Sequence, residues 1–109
     1  MFRISNNKIQ ITRGDTGRFS LAVMNGKDDY NYSSDTVVFT VKRSTYDANA
    51  LIQKTISYGN DVVILPSDTS GLEYGDYVYD VQLTTQGGAV DTIITPNKFV
   101  ILPEVSYGS

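Results

Sequence analysis

Apolar and polar side chains alternate over short segments of this chain, and Gly, Asn, Asp or Pro interrupts them roughly every ten residues. A helical period is nowhere sustained, so the pattern is typical of sandwiches and barrels. Strands are predicted at residues 8–12, 18–24, 35–43, 50–57, 61–65, 72–83, 89–95 and 99–102. We therefore predict an all-β fold, an antiparallel β-sandwich of about seven or eight strands that forms one domain over residues 1–109.

The turn residues between these segments predict how the strands connect. Residues 58–60 and residues 86–88 each supply residues that tolerate positive φ, and each is predicted to close a hairpin. Asn25-Gly26 is predicted to form a turn, and the polar stretch from there to Ser34 is predicted to be an exposed loop. Residues 44–49 are predicted to form a short helical turn. Residues 67–72 are predicted to form a brief helical crossing between the sheets.

The segment that begins at Leu72 has the densest pattern in the chain. Leu72, Gly75 and Tyr77 resemble the tyrosine corner of immunoglobulin-like sandwiches, in which the tyrosine hydroxyl bonds back to the backbone. Gly75 and Tyr77 are therefore candidates for a structural corner, and the resemblance favours an immunoglobulin-like sandwich. A plain aromatic strand is the alternative, because Tyr has a high β-propensity.

Composition excludes several classes of function. The chain has no cysteine and no histidine, which excludes disulfides, thiolate metal sites, catalytic triads and most zinc sites. Its net charge of −3 argues against a nucleic-acid partner. The first residues lack a signal peptide and no apolar run is long enough to span a bilayer, so we expect a soluble chain that is made in the cytoplasm and has no membrane partner. We predict no catalytic residue, no cofactor and no metal.

Two short motifs resemble known functional sequences. Asp15-Thr16-Gly17 and Asp68-Thr69-Ser70-Gly71 superficially resemble the paired loops of aspartic proteases, but Arg13-Gly14 stands where that family has an apolar run. Arg13-Gly14-Asp15 is also a tripeptide that integrins recognise on exposed loops. Ordinary turn formation explains both motifs.

Polar loops offer two further candidate sites. Asp28-Asp29 could bind calcium, but the spacing matches no calcium loop, and a solvated acidic loop is the simpler interpretation. Tyr30, Tyr32 and Tyr58 lie in predicted loops and are expected to be exposed. Tyrosine is enriched at interfaces, so these three are candidate interface residues, with ordinary packing as the alternative.

The order of motifs along the chain carries a family resemblance. Ile-x-Ile-Thr-Arg-Gly-Asp-Thr at 9–16 is followed by Asp-x-Val-x-Phe-x-Val at 35–41, Asp68-Thr69, Tyr-Gly-x-Tyr-x-Tyr-Asp-Val at 74–81 and Thr92-Ile93. The series resembles proteins of bacteriophages and prophages of Gram-positive bacteria, especially the N-terminal β-sandwich domain of baseplate upper proteins.

The resemblance implies a non-enzymatic virion structural protein of the tail or baseplate. Its partners would be other phage virion proteins and further copies of itself, and its location would be the virion. The alternative function is a carbohydrate-binding or host-adhesion module whose Tyr-rich loops stack on a host-surface glycan.

Overall fold

A computed structural model describes residues 1–25 and 27–104, and over these residues the fold is all-β and sandwich-like. The strands are β1 (Phe2–Ser5), β2 (Lys8–Thr12), β3 (Gly17–Phe19), β4 (Met24–Asn25), β5 (Asp28–Asp29), β6 (Thr36–Lys42), β7 (Ile52–Ile56), β8 (Val62–Ile64), β9 (Gly75–Thr84) and β10 (Val90–Leu102). One short helix, α1 (Pro66–Thr69), lies between β8 and β9. The all-β prediction is confirmed.

A six-stranded sheet in the order β1-β2-β10-β9-β6-β7 forms the main layer. The short pair β3-β8 lies against it, and β4-β5 is a separate hairpin. Strand β10 is antiparallel to β9 but parallel to β2, with Phe99 opposite Ile9. The prediction of a purely antiparallel sandwich is therefore wrong at this pair, and the immunoglobulin-like topology stays a prediction.

One face of the main sheet supplies most of the core. The alternation in β6 and β9 is confirmed, because Val37, Phe39, Val41, Tyr77, Tyr79, Val81 and Leu83 are all buried. Phe39 lies at the centre, with ring centroids 5.8 Å from Phe19, 5.4 Å from Tyr79 and 6.3 Å from Phe99. Phe39 therefore contacts aromatic rings from both the β3-β8 layer and the main sheet.

Several connections differ from the sequence predictions. Residues 58–60 do not close a hairpin, because β7 pairs with β6 whereas β8 pairs with β3. Gly59 does have positive φ, but the chain uses the turn to change sheets. Residues 44–49 contain turns and bends rather than a helical turn.

The structure confirms the predicted hairpin at residues 86–88 and the predicted helical crossing after β8. Residues 86–88 connect β9 to β10, as predicted. In the stretch predicted as an exposed loop, Asp28–Asp29 instead form β5 and pair with β4, and Gly26 of the predicted turn lies outside the described residues. The helical crossing is α1, where the Asp68 carboxylate accepts the Leu65 N–H at 2.7 Å. The predicted strand at 18–24 ends at Phe19, strand β1 was missed, and 89–95 and 99–102 form one strand.

Candidate interaction surface

Strand β10 has an open edge over residues 90–98. Asn97, Thr92 and Val90 pair with β9, but β2 pairs with β10 only from Phe99 onward. No other backbone hydrogen bond joins residues 90–98 to the described part of the chain. Half of the backbone groups in this segment therefore point to a side without a strand partner.

The hairpin fixes which backbone groups point outward. The Thr85 N–H donates to the Ala89 carbonyl at 2.8 Å, so these two residues form a hydrogen-bonded pair. Such pairs alternate along an antiparallel ladder. Asp91 therefore bonds to β9, whereas the backbone N–H and C=O groups of Val90 and Thr92 face the open edge.

Two bulges after Thr92 limit the regular part of the open edge. The register between β10 and β9 shifts between Thr92 and Ile94 and again between Ile94 and Asn97. Pro96 lies in the second shift, which is where a sheet tolerates proline. Bulges bend a strand and increase its twist, so the regular part of the edge is short.

An apolar groove lies beside this edge. It has a volume of about 300 Å³ and is lined by Leu21, Ala22, Val23, Met24, Ile93 and Ile94, which together we call the edge groove. Met24 is 55% exposed, and Val90 on the neighbouring edge is 62% exposed. Apolar side chains thus remain in contact with water beside unpaired backbone groups.

Three aspartates lie near the edge-groove residues in the sequence or in the strand pairing. Asp91 precedes the two β10 residues of the groove, and Met24 pairs across its hairpin with Asp29, next to Asp28. Lys27 lies in the same hairpin. The hairpin and the strand that supply the apolar lining thus contain three carboxylates and one lysine.

The three candidate interface tyrosines lie together at one end of the sandwich, in a tyrosine–aspartate cluster with Asp29 and Asp35. The Tyr58 hydroxyl donates to Asp29 at 2.5 Å, and the Tyr30 hydroxyl donates to Asp35. The Tyr32 and Tyr58 rings meet edge to face with centroids 5.1 Å apart. Tyr58 is 39% exposed, but Tyr32 is only 2% exposed, so the expectation of an exposed Tyr32 is wrong.

Local charges and burial raise the pKa of all three tyrosines. The hydrogen bond to Asp35 raises the pKa of Tyr30, and that to Asp29 raises the pKa of Tyr58. Burial, with the nearby charge of Asp29, raises the pKa of Tyr32. The hydroxyls of Tyr30 and Tyr58 hold the loops to each other and are not free to donate to a partner.

The buried Tyr32 hydroxyl has no hydrogen-bond partner among the described residues. A buried polar group without a partner costs free energy, so we expect Tyr32→Phe to raise the free energy of unfolding by up to about 1 kcal/mol. Urea denaturation measures this. Tyr58→Phe, which loses the bond to Asp29, is the control and gives no gain. A clear loss of stability in Tyr32→Phe would show that the hydroxyl is satisfied.

The predicted structural corner lies at the opposite end of the sheet. The Tyr77 hydroxyl donates to the Glu73 carbonyl at 2.8 Å and accepts from Arg43 Nη1 at 3.2 Å. Gly75 has φ of 134°, which a residue with a side chain rarely adopts. Gly75 and Tyr77 therefore have structural surroundings and lie away from the edge groove.

Arg13 is engaged inside the molecule. Its Nη2 donates to Glu104 at 2.8 Å and to the Tyr74 hydroxyl at 3.0 Å, and its Nη1 donates to the Leu72 carbonyl at 3.2 Å. The arginine of the Arg-Gly-Asp tripeptide is thus held by the fold. Arg13 lowers the pKa of Glu104, chiefly through the hydrogen bond.

Removing the Glu104 charge is expected to make stability less sensitive to acid. Because the pKa of Glu104 is lowered from 4.5 in the folded chain, its contribution is present above pH 4.5 and is lost as pH falls through the lowered value. Glu104→Gln should therefore be less stable than the parent at neutral pH, with a difference that shrinks on acidification. Denaturation curves at several pH values measure this. Asp76→Asn, which removes an exposed carboxylate 3.8 Å from Lys98, is the control for the loss of one negative charge. A stability difference that stays constant with pH in Glu104→Gln would contradict the assignment.

The two Asp-Thr/Ser-Gly motifs approach each other without forming a carboxylate pair. The Gly14 N–H donates to Thr69 Oγ1 at 2.9 Å, which brings the two turns together. The Asp68 carboxylate, however, binds Lys54 at 2.8 Å, and the Asp15 carboxylate binds the N-terminal ammonium group. The carboxylates have separate partners instead of a shared proton.

The open edge and the edge groove were not predicted from the sequence. Pro96 was the available signal, because proline inside a strand indicates an edge or a bulge. Exposed apolar residues such as Met24 and Val90 give no signal by themselves, since many surfaces contain them.

Groups of three or more potential metal-ligating side chains are absent from the described residues. Helix α1, the helix of the described ranges, is too short to cross a membrane. Comparison of the chain with protein-family models, curated proteins and solved structures finds no match in any of the three.

Proposed function

We propose that this chain is a non-enzymatic virion structural protein of a phage or prophage, an assembly module of the tail or baseplate. Its contact surface is the open edge of β10 together with the edge groove. The ordered motifs that resemble baseplate upper proteins support the virion role. The single structural observation that carries the contact mode is a strand edge without a partner beside exposed apolar side chains.

The mode of contact is addition of a strand to this edge. An extended segment gains main-chain hydrogen bonds from Val90 and Thr92, while the edge groove takes its side chains. Free sheet edges otherwise invite nonspecific pairing, and natural proteins keep them short or bent. The bulges and Pro96 shorten this edge, which favours one defined partner segment over open-ended aggregation.

Charge complementarity indicates the chemistry of the partner. The edge groove is apolar, and the hairpin and the strand that supply its lining also contain Asp28, Asp29 and Asp91, so the partner is an extended segment of a neighbouring virion subunit with apolar side chains flanked by Lys or Arg. A second copy of this chain is one such neighbour, and a different tail or baseplate protein is another.

The alternative, glycan binding through the Tyr-rich loops, has less support at this end of the molecule. Tyr32 is buried, and the hydroxyls of Tyr30 and Tyr58 are bonded to aspartates. Of the three rings, that of Tyr58 is the most exposed and that of Tyr30 is half-buried, which leaves little aromatic surface for stacking on a sugar.

Light scattering tests the proposal. The mass of the purified chain is measured at several concentrations, alone and with each structural protein encoded beside it in its genome. A defined oligomer or a defined complex is the expected result. A monomer that ignores every neighbour and binds a glycan array through Tyr58 would replace the proposal with the adhesion function.

A further inference from the structure

The outer face of the main sheet, on the side away from the core, contains a depression of about 290 Å³ that the proposed function does not use. Three side chains cross its floor in one row, because Gln53 lies opposite Thr40 and Thr40 lies opposite Asp80 in adjacent strands. Residues directly opposite each other point to the same face of a sheet. Lys42 and Gln82 flank this row, and we call the site the outer-face depression.

The shape has two causes in the fold. Asp80 lies opposite the second bulge of β10, where Pro96 replaces a regular strand residue and leaves space above the carboxylate. On the other side, the chain between β6 and β7 contributes Thr45, Ala48 and Ala50 as a wall. The depression is therefore bounded by two irregular segments of the backbone.

Most polar side chains of the outer-face depression make no hydrogen bond or ion pair with other described residues. Asp80 and Lys42 are half-buried, yet neither makes an ion pair or a side-chain hydrogen bond within the described ranges, and the Gln82 amide is equally unused. The Gln53 amide has one long contact, 3.4 Å to Thr40 Oγ1. Because these donors and acceptors have few partners within the described residues, they are available to a ligand.

We propose that the outer-face depression binds one neutral sugar ring. Lys42 and the two amides donate, Asp80 and the amide oxygens accept, and the opposite charges of Lys42 and Asp80 cancel. An anion would be repelled by Asp80 and a cation by Lys42, whereas a neutral polyol uses both. Val78, Ala50 and Pro96 supply apolar contact for the C–H face of the ring.

The size of the site limits the ligand to a single ring. Pockets for larger ligands have volumes of roughly 300–1,000 Å³, and this depression lies at the bottom of that range. A ligand of this size in an open site binds weakly, with a Kd on the order of 1 mM. The ligand would be a terminal or protruding unit of a longer glycan.

The test is a titration of the isotope-labelled chain followed by amide chemical shifts. The neutral probes are methyl glucoside, methyl galactoside, N-acetylglucosamine and N-acetylgalactosamine, and the charged probes are glucuronate, glucosamine and inorganic phosphate. A neutral probe should give saturable shifts at Thr40, Gln53, Asp80 and Gln82, while the charged probes bind at least tenfold more weakly, as expected from an unpaired charge.

Matched variants assign the binding to the depression. Asp80→Asn and Gln82→Ala should each weaken the neutral sugar by about tenfold or more. Asp76→Asn is the control, because Asp76 lies on the same strand and the same face but outside the depression, and it should bind like the parent.

Three results would overturn the inference. These are the absence of saturable shifts with every neutral probe, shifts centred on Tyr58 instead of Asp80, or equal binding of glucuronate and the neutral sugars. Each leaves the strand-addition proposal untouched, because the edge groove lies elsewhere and is tested by oligomer mass.

Discussion

Thr92→Pro is expected to weaken partner binding by about 100-fold or more, because proline removes a donor from the strand-pairing edge and its ring obstructs an added strand. The alternation of the β10–β9 ladder places the Thr92 N–H on the open side. The substitution therefore leaves the bonds to β9 intact, and proline is tolerated at an open sheet edge. Light scattering or calorimetry with the partner measures the loss.

Two companion variants separate edge chemistry from side-chain loss. Thr92→Ala keeps the N–H and should bind within about threefold of the parent, since a surface side chain contributes little. Met24→Lys leaves the edge backbone unchanged but places a cation in the edge groove, and it should weaken a partner flanked by Lys or Arg. Full binding by folded Thr92→Pro would show that the partner does not pair with β10.

Phe39→Ala is expected to have the largest effect on stability, a loss of about 3–5 kcal/mol in the free energy of unfolding. Phe39 is fully buried and its ring contacts Phe19 from the second layer as well as Tyr79 and Phe99 of its own sheet. Removal of the ring leaves a cavity where the two layers meet. Urea denaturation measures the change.

The control for this prediction is Thr55→Ala, at an exposed position on β7, which should change stability by less than about 0.5 kcal/mol. The loss of stability in Phe39→Leu should be larger than that in Thr55→Ala and smaller than that in Phe39→Ala, because leucine refills part of the cavity. A loss below about 1 kcal/mol in Phe39→Ala would mean that the layers do not pack around this ring.

The parts of the fold that follow from local alternation could be predicted from the sequence. In β6, a period of two places Val37, Phe39 and Val41 on one face, and burial forces that face inward. The same reasoning succeeds for β9. Hydrophobic periodicity is a property of neighbouring residues, so no knowledge of distant pairing is needed.

The parts that depend on distant pairing could not be predicted. The parallel pairing of β2 with β10 joins the two ends of the chain, and nothing local encodes it. Gly59 indicates a reversal, but positive φ does not say whether the next strand stays in the same sheet.

The open edge of β10 could not be predicted for the same reason. The edge of β10 is open only because β2 begins to pair at Phe99, which is a matter of register between distant strands. Tyr32 was misplaced because tyrosine in a polar loop favours exposure, whereas the ring packs into the core cluster beside Tyr58. The tyrosine positions were informative about location, since all three lie at one end of the sandwich.

Hydrogen exchange at the Thr92 amide distinguishes strand addition at the β10 edge from any other mode of contact. In the free chain this amide has no acceptor among the described residues, so it should exchange rapidly, whereas the Asp91 amide is protected by β9. When a virion partner or a second copy binds, exchange should slow strongly at Thr92 and change little at Asp91. Complex formation with the Thr92 amide still exchanging rapidly would contradict strand addition at the β10 edge.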